Sequence, residues 1–184
     1  KHNKVKKIKL CYHGFDSEKF YPTTTKENMV IMISAIHKQY LRRKGLETFV
    51  RTAAFCPEHK FYLIGRIQDE TIDYLKKIAT PNVIFTGFIP TAKLISFCQK
   101  AKIYIQVSAR EGVGCALAEA MLCGCIPIVT KGWAIPEVVG GAGLYVPYGD
   151  VPKTSEAVKS ILNGDLRLQE DPRERIKKFY PKGK

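Results

Sequence analysis

Residues 108–129 read SAREGVGCALAEAMLCGCIPIV: a glycine-broken loop carrying Glu111, an apolar-periodic helix carrying Glu119, a stop at Gly124 and a second apolar run. With the apolar Ile103–Val107 before it, this parses as strand, tight turn, helix and strand. That is the βαβ layout in which backbone N–H groups at a helix N-terminus face an anionic ligand. Neither carboxylate suits a bland role. Glu111 lies beside Gly112 and Gly114, and Glu119 sits among Leu117, Ala120, Met121 and Leu122. A charge on such an apolar helix is costly to bury unless something hydrogen-bonds to it. A ligand rich in hydroxyls is a suitable partner.

The same alternation runs outward in both directions. Met29–Ile36, Phe61–Ile64, Asn82–Thr86, Ile103–Val107, Cys125–Thr130 and Leu144–Val146 are short apolar runs of the kind found in strands buried on both faces. Between them, Gly45–Phe55, Asp69–Ala79, the segment opening at Thr91, and Thr154–Leu162 carry helical periodicity. HKQYLRRK, residues 37–44, is read as a basic loop. Strands and helices in strict alternation predict an α/β fold, a doubly wound parallel sheet of Rossmann-like type. The expected organisation is a connector over 1–24, a nucleotide-binding domain over 25–165 and a basic C-terminal tail or helix over 166–184.

Composition excludes more than it selects. A hydrophobic fraction of 45% and a charged fraction of 26% are those of a globular chain, which rules out a disordered one. No apolar run approaches the roughly 20 residues of a membrane span. Lys1–Lys9 is basic with no apolar core behind it, so no secretory leader is expected. The ends suggest a fragment of something longer. The formal net charge of +13 can attract nucleic acid, anionic lipid or phosphorylated ligands without choosing among them. Much of it lies in the two tails and is read as solvated. Six cysteines include no CxxC pair, and four sit in apolar contexts, so reduced, core-filling thiols in a cytoplasmic protein are expected.

Ligands of such sheets bind beyond the carboxyl ends of the strands, where strand order reverses. The loops that follow strands are HKQYLRRKG, GRIQDE, TGFIPT, SAREGVG and TKGWAIPE, and all five contain glycine. No nucleophile–base pair stands out, because the four histidines are scattered. No His/Asp/Glu cluster suggests a metal. Gly112-Val113-Gly114 lacks the third glycine of a dinucleotide fingerprint, which argues against an NAD enzyme.

With seven residues between Glu111 and Glu119, EGVGCALAEAMLCGCIPIV resembles the EGFGLxxLEAMAxGxPVI-like stretch of the retaining, GT-B-type group 1 glycosyltransferases, in their C-terminal, donor-binding domain. The resemblance extends to HGFDSEKFYP, similar to that family's interdomain connector. It also covers Lys44-Gly45, NVIFTGFIP and IPEVVGGAGLYVPYGD, and spans roughly residues 11–180. It implies a donor such as a UDP- or GDP-linked hexose, held without metal or other cofactor. Glu119 would accept hydrogen bonds from the ribose hydroxyls. Glu111 would contact the transferred sugar. Gly112, Val113, Gly114, Cys115 and Ala116 would present amides to the diphosphate. Lys44 would neutralise that diphosphate, and Phe88 and Ile89 would flank the base.

One departure is plain. The family usually places an arginine directly after its first strand, where this chain has Ser34-Ala35-Ile36. Arg42 or Arg43 is the expected substitute from the loop that follows. The resemblance also implies an acceptor, a glycan or a lipid-linked sugar, held by an N-terminal domain outside this sequence. The expected location is cytoplasmic, with peripheral contact on the inner membrane face as one account of the basic surface. The alternatives are a non-catalytic nucleotide-sugar binding module and a nucleic-acid binder. The second of these is disfavoured because no RNP-like or helix-turn-helix pattern occurs.

Overall fold

In a computed structural model of the chain, residues 13–112 and 114–183 are described. Six strands form one sheet: β1 Glu27–Ile33, β2 Lys60–Ile64, β3 Val83–Gly87, β4 Ala101–Gln106, β5 Ile126–Thr130 and β6 Leu144–Val146. Its order is β3-β2-β1-β4-β5-β6 and every pairing is parallel. Val30 of β1 faces Phe61 on one side and Ile103 on the other, which fixes the register at the centre. The doubly wound α/β sheet expected from the alternating apolar runs is therefore the observed fold.

Each strand points successive side chains to opposite faces, and both faces are covered. Val30, Met32, Ile103, Ile105 and Ile128 pack against Leu46, Phe49, Val50 and Ala53 of α2 (Leu46–Ala53), Leu75 of α3 (Thr71–Ile78), and Val158 and Ile161 of α7 (Val151–Asn163). Met29, Ile31, Tyr104 and Val129 pack against Cys98 of α4 (Thr91–Lys100), Leu117 and Met121 of α5 (Cys115–Leu122), Val138 of α6 (Ile135–Val139), and Ile176 of α8 (Pro172–Phe179). Apolar burial on both faces explains why the strands read as continuous hydrophobic runs.

Three segments differ from their sequence reading. Residues 38–43 are not loop but a short helix, α1 (Lys38–Arg43), whose first turn is capped by the His37 ring accepting from the Gln39 amide at 3.2 Å. Six residues with four polar or charged side chains show too little apolar periodicity to reveal a helix. Ile135–Val139 forms α6, with Pro136 in its first turn, where proline's missing N–H costs nothing. The third difference concerns the basic tail, which is far from solvated throughout. Arg173 of α8 donates to the carbonyls of Leu122 and Phe20 at 2.7 and 2.8 Å, and to Ser17 at 3.1 Å. Arg175 donates to Val138 and Glu137 carbonyls, both at 2.7 Å.

The connector shares this packing. Phe15 and Phe20 are buried in the same cluster as Ile176 and Tyr180. The Phe15 amide donates to the Tyr180 carbonyl, and the Lys182 amide donates to Phe15. Of the cysteines, Cys56, Cys98, Cys123 and Cys125 are buried and free, and Cys115 is exposed; Cys11 lies outside the described residues. Burial pushes the Cys125 thiol up to about 12, far from a reactive thiolate. Among the described residues no helix is long and apolar enough to cross a membrane.

Candidate active site

The strand order reverses between β1 and β4, so the crevice beyond their carboxyl ends is where a ligand of this fold sits. Two loops meet there. After β1 the chain runs through α1 to Lys44-Gly45, and after β4 it runs through Ser108-Ala109-Arg110 to Glu111. The Ala109 amide donates to the Arg43 carbonyl at 2.8 Å and ties the two loops together. Gly45 has φ +72, and a Cβ there would land on the Val107 carbonyl oxygen. Only glycine allows the close approach that delivers Lys44 to the crevice.

Delivered there, Lys44 forms an ion pair with Glu111, 67 positions away in sequence. Both side chains are mostly shielded, at 24% and 16% exposure. The pair joins the two residues expected to act on the diphosphate and on the transferred sugar. The ammonium and the carboxylate neutralise each other.

Helix α5 opens beside them. Its sequence CALAEAML is built of strong helix formers. Gly114, at φ +68, is its N-cap and makes no side-chain cap, so the first-turn amides of Cys115 and Ala116 have no intrahelical acceptor. A Cβ on Gly114 would meet Gln106 Nε2 at 2.9 Å. Gly112 is exposed on the loop before it; Val113 lies outside the described residues. At the other end, Lys26 Nζ donates to the Cys123 carbonyl at 2.6 Å and Arg173 to Leu122, satisfying the helix terminus with two cations.

Glu119, in the middle of α5, is half-buried. It makes no hydrogen bond or ion pair among the described residues. Burial raises its carboxyl above the ordinary range, and nearby Lys19 and His13 offset part of that. A half-buried carboxylate without a donor is a vacancy for hydroxyl groups. Beneath the loop, Gln106 Nε2 and Ser108 Oγ are buried and also lack partners, although Tyr104 Oη donates to Gln106 Oε1 at 3.3 Å.

The remaining expected residues spread along the same edge. Phe88, 69% exposed beside the Arg66 guanidinium, and the half-buried Ile89 follow β3, two strands from β1. Arg43 stacks on the Tyr40 ring at 4.9 Å. Arg42 lines a separate cavity of about 310 Å³ with Glu47, Arg51 and Tyr148. Neither arginine joins the Lys44–Glu111 pair.

A cavity of about 420 Å³ on this edge lies not over the crevice but beside it, over β5 and β6. It is lined by Ala109, Thr130, Lys131, Gly132, Tyr145 and Tyr148. Next to Gly132 stands Trp133, exposed and at φ +52, the one residue other than glycine with positive φ among those described. The sequence reading included its loop, TKGWAIPE, but singled out none of its residues. Their signal was a lone tryptophan in a glycine-containing loop after a strand.

Known proteins place the chain. Residues 27–164 match the family model described as glycosyl transferases group 1. The serotype-specific mannosyltransferase WbdA of Escherichia coli is 27% identical over 139 residues, which is 70% of this chain and 17% of WbdA. A GDP-mannose-dependent monoacylated α-(1-6)-phosphatidylinositol monomannoside mannosyltransferase of Corynebacterium glutamicum is 25% identical over 180 residues, 84% of this chain and 46% of that one. The chain thus spans less than half the length of these relatives.

Solved structures agree on the fold. Sucrose-phosphate synthase from Thermosynechococcus elongatus superposes with a TM-score of 0.78 at 22% identity, over 92% of this chain and 47% of that one. The C-terminal domain of a group 1 family glycosyltransferase (LpcC) from Francisella tularensis gives 0.74 at 22% identity, covering 91% of this chain and 99% of that domain. Anabaena HepE in complex with UDP and glucose gives 0.76 at 19% identity, over 94% and 53%. With three quarters of its length inside the family model and a sheet matching a C-terminal domain end to end, this chain belongs to the group 1 glycosyltransferases and has the fold of their C-terminal GT-B domain.

Proposed function

We propose that this chain is the donor-binding half of a hexosyltransferase that moves a sugar from a nucleoside diphosphate to a glycan or lipid-linked acceptor with retention of configuration. The observation that carries the reading is the Lys44–Glu111 pair at the β1/β4 switch point, beside the N-terminus of α5 and the half-buried Glu119, which has no partner among the described residues. Glu119 accepts hydrogen bonds from the ribose hydroxyls. Free amides of the first turn of α5 and the Lys44 ammonium receive the diphosphate, and Glu111, released from Lys44, accepts from hydroxyls of the sugar.

In the transfer, the bond from the anomeric carbon to the β-phosphate oxygen breaks and its electron pair leaves with the diphosphate. The acceptor oxygen bonds to that carbon and passes its proton to the departing diphosphate oxygen. Negative charge therefore grows on the diphosphate, where preorganised N–H donors and a cation stabilise it most. The reading requires neither metal nor cofactor. The relatives' names favour mannose, and one specifies GDP-mannose; HepE, bound to UDP and glucose, shares only the fold. An N-terminal domain would hold the acceptor, so the isolated chain binds nucleotide but transfers no sugar. Its basic surface suits peripheral contact with anionic lipid on the cytoplasmic side. The test is the melting temperature with GDP, UDP and their sugar conjugates: a ligand that binds the native state raises it. No rise with any of them refutes the reading.

A second reading, a nucleotide-sugar binding module without catalysis, is favoured by the absence of an arginine after β1 and by the positions of Arg42 and Arg43 away from Lys44. Replacing each arginine singly and measuring donor affinity separates the two, since a loss of affinity at either position identifies that arginine as the missing phosphate contact and favours the catalytic reading.

A further inference from the structure

We propose that the cavity over β5 and β6, with Trp133 beside it, is a carbohydrate subsite that takes one further sugar ring, next to the transferred hexose, of an acceptor whose main site is on the N-terminal domain; the proposal rests on the donor-binding reading above. Position is the first reason. Ala109 forms one wall of the cavity, and two residues further on the same loop carries Glu111. Gly132 packs against the Ala109 carbonyl so closely that a Cβ there would sit 3.0 Å from it. Whatever fills the cavity therefore touches the loop that presents Glu111. Its volume of about 420 Å³ lies within the roughly 300–1,000 Å³ range of small-molecule sites.

Chemistry is the second reason. The hydroxyls around the cavity are committed elsewhere. Thr130 Oγ1 donates to the Ser108 carbonyl, Tyr145 Oη to Gly140 at 2.9 Å, and Tyr148 Oη to Arg42 at 2.7 Å. The site is left with tyrosine rings and one ammonium, Lys131, whose Nζ lies 5.6 Å from the Tyr145 ring centroid. Aromatic faces with a polar handle suit a ligand that has an apolar face and a hydroxylated rim. The crevice at β1 and β4 already supplies the site for a diphosphate.

Strain is the third. Trp133 holds φ +52 with its side chain 76% exposed and makes no hydrogen bond or ring contact among the described residues. A left-handed, non-glycine residue is strained, and such outliers gather at ligand sites. An exposed indole held in that conformation, one residue along the chain from a cavity wall, is near enough to contribute an aromatic face to a sugar ring bound there.

Trp133 is the only tryptophan in the 184 residues, so intrinsic emission reports from this loop alone. The full chain is titrated with di- and trisaccharides of mannose, glucose and N-acetylglucosamine, while GDP and UDP are tested by melting temperature in parallel. The expected result is a saturable emission change with at least one saccharide, weakened up to roughly tenfold in Tyr148→Ala, as loss of one aromatic contact implies. The Lys131→Ala variant should weaken it as well, with both variants keeping the wild-type nucleotide shift. A nucleotide shift with no emission change across the panel overturns the subsite and leaves the donor reading standing. An emission change indifferent to both substitutions also overturns it. Emission changes without any nucleotide shift support the sugar site and refute the donor reading.

Discussion

Removing Glu111's negative charge should tighten the binding of a nucleoside diphosphate, whereas removing Lys44's positive charge should weaken it. Without ligand the two side chains satisfy each other. A diphosphate gains a charge-assisted hydrogen bond from Lys44, worth about 1.5–3 kcal/mol; net of the pair that must break, Lys44→Met should lose roughly two- to thirtyfold in affinity. That gain is offset by breaking the Lys44–Glu111 pair. For a pair partly open to solvent the offset is about 1 kcal/mol, so Glu111→Gln should tighten binding about fivefold. The ligand must be the diphosphate without its sugar, since Glu111 is assigned to the sugar and not to the phosphates. Calorimetric titration of the two variants and the wild type with the tighter of GDP and UDP measures both effects. Weaker binding in Glu111→Gln, alongside weaker binding in Lys44→Met, would refute the competition.

Glu119→Gln should abolish most of the nucleotide-induced rise in melting temperature while stabilising the unliganded chain at neutral pH. The sign follows from burial. A carboxyl raised above its ordinary value in the folded state keeps its proton longer there, so stability falls as pH rises from the ordinary carboxylate range through the raised value. The Gln variant should lack that decline, and its persistence would place the titration elsewhere. Gly45→Ala forces a left-handed residue, at about 1–2 kcal/mol, against the Val107 carbonyl, and should cost both stability and nucleotide binding in denaturant and titration assays. Arg173→Met removes three hydrogen bonds from one guanidinium to connector and α5 carbonyls; a loss of about 2–3 kcal/mol and faster amide exchange over residues 14–22 are expected.

Much of this fold was legible because its information is local. Each strand is a short apolar run and each longer helix carries its own stripe, so the alternation could be read segment by segment, as could the spacing of Glu111 and Glu119 around Gly114. What is not local escaped. The six-residue α1, held by a histidine cap and by its place between β1 and α2, was read as loop, and α8, expected as a tail or helix, is strongly polar yet buries Ile176 against α5 and α6. Sequence thus determined the type and order of the elements and the residues at the α5 N-terminus. Tertiary structure alone decided which loops meet. Placing β4 beside β1 brings Lys44 to Glu111 across 67 residues, turns Arg42 and Arg43 to other neighbours, and sets Trp133 beside a cavity that no single segment encodes. The physical reason is that periodicity reports how one segment faces the core, whereas adjacency is set by the packing of the whole sheet.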